Sequence, residues 1–279
     1  MMRTLVAPIF LAVGMVPAQA QQRDLRSAAA PDVLVTIRSE NSDIRVTGWD
    51  GDEVTVRVRG GSMRGVQLSG DRSRLRVLNE SDETLEVRVP RGARVDLRTQ
   101  NGDLSVADVS GSVYLESMTG DARVDGEPRL IEAESLSGDI IIVGRAATVR
   151  ANTVSGSIDL ARAGGTVDAS STSGDVNISA DGLERGNLSS TSGTVILQGR
   201  PSRSASLTLD SASGTIELRL GPNFAADYEI WTVSGDIDNS FGPQPTRLRR
   251  GAGSTLRFNT GTGARIRASS VSGSVEVRE

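Results

Sequence analysis

Acidic residues recur directly after a series of glycines, and these side chains are the ones in the sequence that could hold a cation. The aspartates at this position are Asp103, Asp121, Asp139, Asp175 and Asp236. Carboxylate oxygens brought together in this way are the ligands that Ca²⁺ prefers. The nonapeptide calcium pattern Gly-Gly-x-Gly-x-Asp is absent, however, and several of the glycines are followed by Ser or Thr instead. We therefore favour hydrogen bonding of these short polar side chains to backbone amides at sharp turns.

A second set of acidic residues raises the alternative of an enzyme that processes polysaccharides. Such an enzyme, of the β-helix type, would need Asp159, Asp168 and Asp210 to converge in a groove beside an arginine. These aspartates share no common offset from the glycines, and only four Trp and Tyr residues could stack on a sugar. Solvated strand faces explain them better. We predict no catalytic, cofactor-binding or metal-binding residue, no cofactor and no enzymatic activity.

The composition excludes several other classes of chemistry. The 279 residues include no His and no Cys, so a Ser-His-Asp triad, a cysteine nucleophile, a thiolate or imidazole metal site and a disulfide are all ruled out. The net charge of −4 argues against a surface that binds phosphate, and two Trp, two Tyr and four Phe are too few for a platform that stacks bases. We expect no nucleic-acid partner.

An internal repeat is the strongest pattern in the sequence. Its core is Ser/Thr-x-Ser-Gly-Asp/Ser/Thr, followed by an apolar residue, any residue and a second apolar residue. The glycines are Gly102, Gly120, Gly138, Gly156, Gly174, Gly193, Gly214, Gly235 and Gly273. Their spacings are 18, 18, 18, 18, 19, 21, 21 and 38 residues, and the last interval is expected to contain one degenerate turn near Gly263.

Apolar residues alternate with polar ones inside each repeat. Positions two and four after the glycine hold pairs such as Ile158 and Leu160, and positions near 11 and 13 hold pairs such as Val167 and Ala169. The residue two before the glycine is often apolar as well, as in Leu136. Alternation with a period of two indicates strands with one buried face. Two such strands in about 18 residues, separated by glycine turns, predict one coil of a β-solenoid whose coils stack at about 4.8 Å.

The whole fold is therefore predicted to be all-β, a single-domain β-solenoid with coils of about 18–21 residues and no amphipathic helix. Alternating segments in residues 32–98 are expected to form the opening coils together with antiparallel hairpins that cap the solenoid. The C-terminus ends four residues after Val275, so we expect the last strand to be a thinly protected edge. Near that end, alternation turns Tyr228 and Ile230 inward, and we expect Trp231 to pack beneath a long insertion.

The first residues have the pattern of a secretory signal peptide. Arg3 is followed by the mostly apolar stretch 5–16 and by Ala18-Gln19-Ala20, a small-x-small cleavage pattern. The predicted organisation is a signal peptide at 1–20, a flexible leader at 21–32 and the solenoid domain at 33–279. We expect an exported protein, periplasmic or at the cell surface, with no transmembrane segment after cleavage.

Three segments resemble the bacterial putative-adhesin family known as domain of unknown function 4097. They are residues 85–103, with the strand Leu-Glu-Val-Arg-Val and the turn Gln-Asn-Gly-Asp, the Ser-Gly-Asp-Ile turns, and residues 228–242 together with 270–277. The resemblance covers roughly residues 33–279 and implies an exported or envelope-associated β-solenoid. It carries over no catalytic residue.

These observations favour a non-enzymatic exported envelope protein, an adhesin or scaffold that makes many weak contacts along its repeated rows. Its expected partners are envelope polymers, glycans or surface proteins. Two alternatives remain open at this point, namely the β-helix-type polysaccharide-processing enzyme and a structural protein that self-associates through the solenoid edge.

Overall fold

A computed structural model describes residues 24–60, 62–221, 224–240, 242–247, 253–261 and 263–278. The expected signal peptide at 1–20 and the first three residues of the expected leader lie outside these ranges. No helix in the described ranges is long and apolar enough to cross a membrane.

The described residues form 25 strands joined in one continuous hydrogen-bonded sheet. The N-terminal strands are β1 (Leu25–Ala28), β2 (Leu34–Ser39), β3 (Ile44–Trp49), β4 (Glu53–Val58), β5 (Val66–Gly70), β6 (Arg74–Asn79) and β7 (Leu85–Pro90). The central strands are β8 (Arg94–Asn101), β9 (Leu104–Ala107), β10 (Ser112–Thr119), β11 (Ala122–Asp125), β12 (Leu130–Ser135), β13 (Ile140–Val143), β14 (Thr148–Thr153), β15 (Ile158–Ser171), β16 (Val176–Ser190), β17 (Val195–Arg200), β18 (Ser206–Ser211) and β19 (Ile216–Leu220). The C-terminal strands are β20 (Ala226–Thr232), β21 (Ile237–Asn239), β22 (Thr246–Arg247), β23 (Ser254–Asn259), β24 (Ala264–Ser270) and β25 (Val275–Arg278).

Each coil of the central region has one strand on a first face, a turn at the repeat glycine and one strand on a second face. Strands of successive coils pair in parallel and in register, so β12 pairs with β14 on the first face and β11 with β13 on the second. The long strands β15 and β16 run around the opposite corner and belong to both faces. The prediction of an all-β solenoid is confirmed.

The core is the narrow space between the two faces. The alternating apolar positions fill it, and Ile158, Leu160, Val167 and Ala169 are all at most 3% exposed. Because each coil places the same kinds of side chain above those of the coil before, the buried residues form continuous apolar rows along the solenoid. Burial of about 25 cal/mol per Å² of apolar surface is the main force that holds such a stack together.

The coils at the N-terminal end do not stack in chain order. The β2–β3 coil lies between the later coil β6–β7 and the coil β8–β9, and it pairs in parallel with both. Antiparallel strands then cover the outermost coil, with β5 on β6, β4 on β7 and β1 on β4. The predicted opening coils with antiparallel capping strands are thus present.

The C-terminal end is interleaved in the same way. The last coil, β24–β25, lies between β18–β19 and β20–β21, and the antiparallel strand β23 covers β20. The expectation that the last strand is a thinly protected edge was therefore wrong, because β25 has a partner on each side. The degenerate turn expected near Gly263 was also wrong, since the 38-residue interval holds the antiparallel strands β22 and β23 in place of a parallel coil.

Part of the expected flexible leader is structured. Residues Leu25–Ala28 form β1, which pairs antiparallel with Glu53–Val56 of β4. Next to this strand, the Arg57 guanidinium donates to both carboxylate oxygens of Asp24, at 3.0 and 2.9 Å. These hydrogen bonds are the largest reason why the pKa of Asp24 lies below its usual range. The pair holds the start of β1 against the cap.

The attachment of β1 should consequently depend on pH. A carboxyl group whose pKa is lowered by folding stabilises the folded state above its unfolded pKa of about 3.9, and this contribution is lost as the pH falls through the lower folded value. Protection of the β1 amides from hydrogen exchange, corrected for intrinsic rates, is expected to drop between pH 5 and pH 2. In Asp24→Asn, protection should be lower at pH 5 and nearly independent of pH. Equal pH dependence in the two proteins would contradict the assignment.

Candidate functional site

Three columns of side chains run along the corner where the repeat glycines turn the chain. The first, which we call the hydroxyl column, is the Ser or Thr three residues before each repeat glycine, or before Ser42, which takes the place of the glycine in the β2–β3 coil, and its members are buried. The column consists of Ser39, Thr99, Ser117, Ser135, Thr153, Ser171, Ser190, Ser211, Ser270 and Thr232, in spatial order. The second column is the residue that follows each glycine. The third is the residue that precedes it by two.

The hydroxyl column supplies hydrogen-bond partners to the backbone amides and carbonyls of the turns. Ser171 accepts a hydrogen bond from the Gly174 amide at 2.8 Å and donates one to the carbonyl of Gly156 in the previous coil at 2.9 Å. The same two bonds recur at Thr153 and Ser190. A buried backbone group without a partner would be costly, so these hydroxyls tie each turn to the one before it.

Four of the five aspartates after the glycines have the structural role that the sequence favoured, whereas Asp236 accepts a hydrogen bond from the Arg247 guanidinium at 3.2 Å. Asp121 accepts the backbone N–H of Asp139 at 2.9 Å, and Asp139 accepts that of Ser157 at 2.7 Å. The same contact joins Asp43 to Asp103, Asp103 to Asp121 and Asp175 to Thr194. Within the described residues, no three acidic side chains come together as a metal site. These carboxylates link successive coils.

The aspartates required by the enzyme alternative do not converge. Asp159 lies on the second face, where it accepts a hydrogen bond from Asn177 at 2.8 Å. Asp168 and Asp210 lie on the first face at different positions along their strands, and each is bonded to a neighbour in the next coil, Asn187 and Ser269 respectively. The three aspartates therefore lie on solvated strand faces, as predicted.

In the column two residues before the glycines, several coils carry a large apolar side chain that points outward. We call its exposed members the outer apolar row: Met118, Leu136, Val154, Val271 and Val233, in spatial order. They are between 44% and 54% exposed. The strand alternation could have revealed this, because Ile131, Ala133 and Ser135 face inward in turn and the next residue, Leu136, must face outward. The row has two parts: Met118, Leu136 and Val154 lie in three adjacent coils and Val271 and Val233 in two, and the three coils between them carry Thr172, Thr191 and Ala212 at this position. Clustered large apolar side chains that stay exposed are typical of an interaction surface.

An open groove of about 900 Å³ lies beside the N-terminal end of this row. We call it the corner groove. It is lined by Arg38, Ser39, Glu40, Leu78, Asn79, Glu80, Arg98, Thr99, Gln100, Glu116, Ser117, Met118, Glu134, Ser135 and Leu136. Its base is the buried hydroxyl column, and its sides are the outward residues of the first face and the start of the outer apolar row. A smaller cavity of about 180 Å³ around Tyr114 adjoins it through shared side chains.

The groove coincides with a local change of turn type. Gly102 and Gly120 have φ values of +144° and +123°, whereas Gly138 and the repeat glycines after it do not adopt positive φ. Strands β8 and β10 also continue two residues past the hydroxyl column, while β12 ends at its hydroxyl residue. Within the described residues, the buried hydroxyl of Ser117 has no hydrogen-bond partner. The change of turn leaves this hydroxyl at the base of the groove without the amide that its counterparts bind.

The charges that line the groove are predominantly acidic, with four glutamates and two arginines. Arg98 is already neutralised, since it donates to Asp96 at 3.1 Å and lies 2.8 Å from Glu116. The hydrogen bond to Asp96 is the main reason why the pKa of Arg98 is raised. Among the described residues, Glu40, Glu80 and Glu134 form no salt bridge, and neither does Arg38, so the unpaired charges of the lining are three carboxylates and one guanidinium.

Comparison with family models and with solved structures finds matches to this chain. The family model described as Toastrack DUF4097 matches residues 27–278. The fold is also similar to solved structures of a putative adhesin from Bacteroides fragilis NCTC 9343 (12% identity, TM-score 0.43, covering 91% of this chain and 96% of that one) and a putative adhesin from Parabacteroides merdae ATCC 43184 (8%, 0.46, 92% and 96%). A putative cell adhesion protein from Clostridium sporogenes ATCC 15579 is a third (6%, 0.26, 92% and 98%). No curated protein matches the sequence significantly.

Proposed function

The chain belongs to the Toastrack DUF4097 family, and on that premise we propose that it is a non-catalytic binding protein of the bacterial cell envelope. The observation that carries this proposal is the outer apolar row, which stays exposed along the corner beside an open groove. Three of its members, Met118, Leu136 and Val154, lie in adjacent coils, and monomeric soluble proteins rarely leave large apolar side chains clustered on the surface unless a partner covers them. The signal-peptide pattern at 1–20 supports export to the periplasm or cell surface.

The mechanism we propose is multivalent contact. Successive coils place equivalent side chains about 4.8 Å apart, so a partner that lies along the corner meets the outer apolar row at several coils at once. Each contact is weak alone, and linked contacts reinforce one another. The enzyme alternative gains no comparable support, because the three candidate aspartates are dispersed. Edge-to-edge association is opposed by the antiparallel strands that cover β6, β7 and β20, while β21 pairs with β25 alone within the described residues.

Binding of the fluorescently labelled mature chain to intact bacterial cells and to an array of cell-wall and host glycans tests this function. The double variant Met118→Glu/Leu136→Glu is expected to reduce binding strongly, because it places two charges in the outer apolar row. Ile141→Glu is the matched control, since Ile141 faces outward on the second face in the same coil as Leu136. No binding to either target, or an equal loss in the control, would contradict the proposal.

A further inference from the structure

We propose that the corner groove binds an extended cationic peptide segment of a partner protein, with basic and apolar side chains in alternation. This inference rests on the proposed binding function and assigns a chemical class to the partner. The groove combines two features that fit such a segment: unpaired carboxylates and apolar side walls.

The unpaired carboxylates of the groove favour a cationic ligand. Glu40 and Glu80 lie toward the N-terminal end of the groove and Glu134 lies toward the other end. Arg98 is held by Asp96 and Glu116, and the second arginine of the lining, Arg38, leaves the three glutamates in excess. Lysine or arginine side chains of a bound segment would supply the missing partners, and an acidic segment would be repelled.

The apolar side chains of the groove favour a peptide ligand over a glycan. Leu78, Met118 and Leu136 contribute apolar surface to the groove, and flexible methionine side chains adapt well to varied apolar groups. Its lining contains no aromatic side chain on which a sugar ring could stack. The groove therefore offers apolar contact to side chains and charged contact to their neighbours, which is the pattern of an alternating sequence.

The length of the groove sets the length of the segment. It crosses five neighbouring strands in the order β6, β2, β8, β10 and β12. Four intervals of about 4.8 Å give about 19 Å, and an extended chain rises about 3.3 Å per residue. About six residues would therefore fill the groove.

Fluorescence anisotropy with labelled Leu-Lys-Leu-Lys-Leu-Lys, and with Leu-Glu-Leu-Glu-Leu-Glu as the acidic control, tests the charge requirement on the mature chain. We expect the lysine peptide alone to bind, and to bind less well as salt is added. Glu80→Gln and Glu134→Gln should each weaken binding about three- to fivefold, and together about tenfold, in line with exposed ion pairs. Glu184→Gln removes an exposed carboxylate outside the groove and should change nothing.

The failure of this inference can be told apart from failure of the proposed function. If the lysine peptide does not bind, or the acidic peptide binds equally well, the cationic segment is wrong. The binding function still stands in that case if Met118→Glu/Leu136→Glu abolishes binding to cells or glycans. A glycan that competes for the groove would replace the peptide as its ligand, and the inference would be overturned.

Discussion

Gly156→Ala is expected to destabilise the protein by about 3 kcal/mol or more, at the upper end of the usual cost of overpacking. A Cβ atom at this position would lie 2.0 Å from the carbonyl oxygen of Gly138 and 2.5 Å from its carbonyl carbon. Both atoms belong to backbone that cannot rotate away, and the Thr153 hydroxyl already holds that carbonyl at 3.2 Å. Relief would require the two coils to separate, which would break hydrogen bonds on both faces.

The measurement is the urea midpoint of the far-ultraviolet circular dichroism signal. Gly164→Ala is the matched control, because a Cβ atom there would meet its nearest neighbour, the Asp181 carbonyl oxygen, at an ordinary 3.4 Å. We expect that control to stay within about 0.5 kcal/mol of the parent. If both variants unfold at the parent midpoint, close stacking of the glycine turns does not restrict which side chains the corner can accept.

Tyr228→Ala is expected to cost about 3–5 kcal/mol, as the loss of a large buried aromatic side chain usually does. Tyr228 is fully buried, and its ring stacks on that of Phe258 with centroids 4.4 Å apart and planes 1° apart. The two residues are paired across β20 and the covering strand β23, while Ile266 of the interleaved coil pairs with Tyr228 on the other side. Truncation would open a cavity at the junction of the last coils and their cap.

Trp231 supplies the comparison within the same strand. It lies three residues farther along β20 and is 40% exposed, so it does not pack beneath an insertion as expected. Trp231→Ala should therefore change the urea midpoint little, and Tyr228→Phe, which keeps the ring, should stay close to the parent. A Trp231→Ala variant as unstable as Tyr228→Ala would show that the outer surface, and not the ring stack, secures this end.

The coil and its core could be predicted from the sequence because they depend on local periodicity. The positions of Ile158 and Val167 relative to the turn glycines specify which side chains face inward, and the aspartates after the glycines are short enough to bond the next coil. The order of the coils could not be predicted in this way. Ile266 packs in register beside both Leu207 and Tyr228, and equivalent repeats present the same apolar rows to any neighbour.

The corner groove escaped prediction for a different reason. It arises where Gly102 and Gly120 take positive φ while Gly138 does not, although all three have nearly the same flanking pattern. Asn101 and Thr119 stand directly before the first two glycines, and Thr119 donates to Asn101 at 2.7 Å. A serine occupies that place before Gly138. Such a change of turn depends on contacts between coils, which residue spacing does not record.

The interleaved ends have a consequence for how the chain is assembled and how it resists force. Strand β2 comes first among the coils in the chain, yet its two neighbours β6 and β8 follow it by about 40 and 60 residues, so this end of the solenoid cannot form coil by coil in chain order. Completion of the far end likewise waits for β24 to enter between β18 and β20. Once formed, neither terminal coil can peel away alone, because tension on β2 or β25 must shear an interior strand from two partners simultaneously.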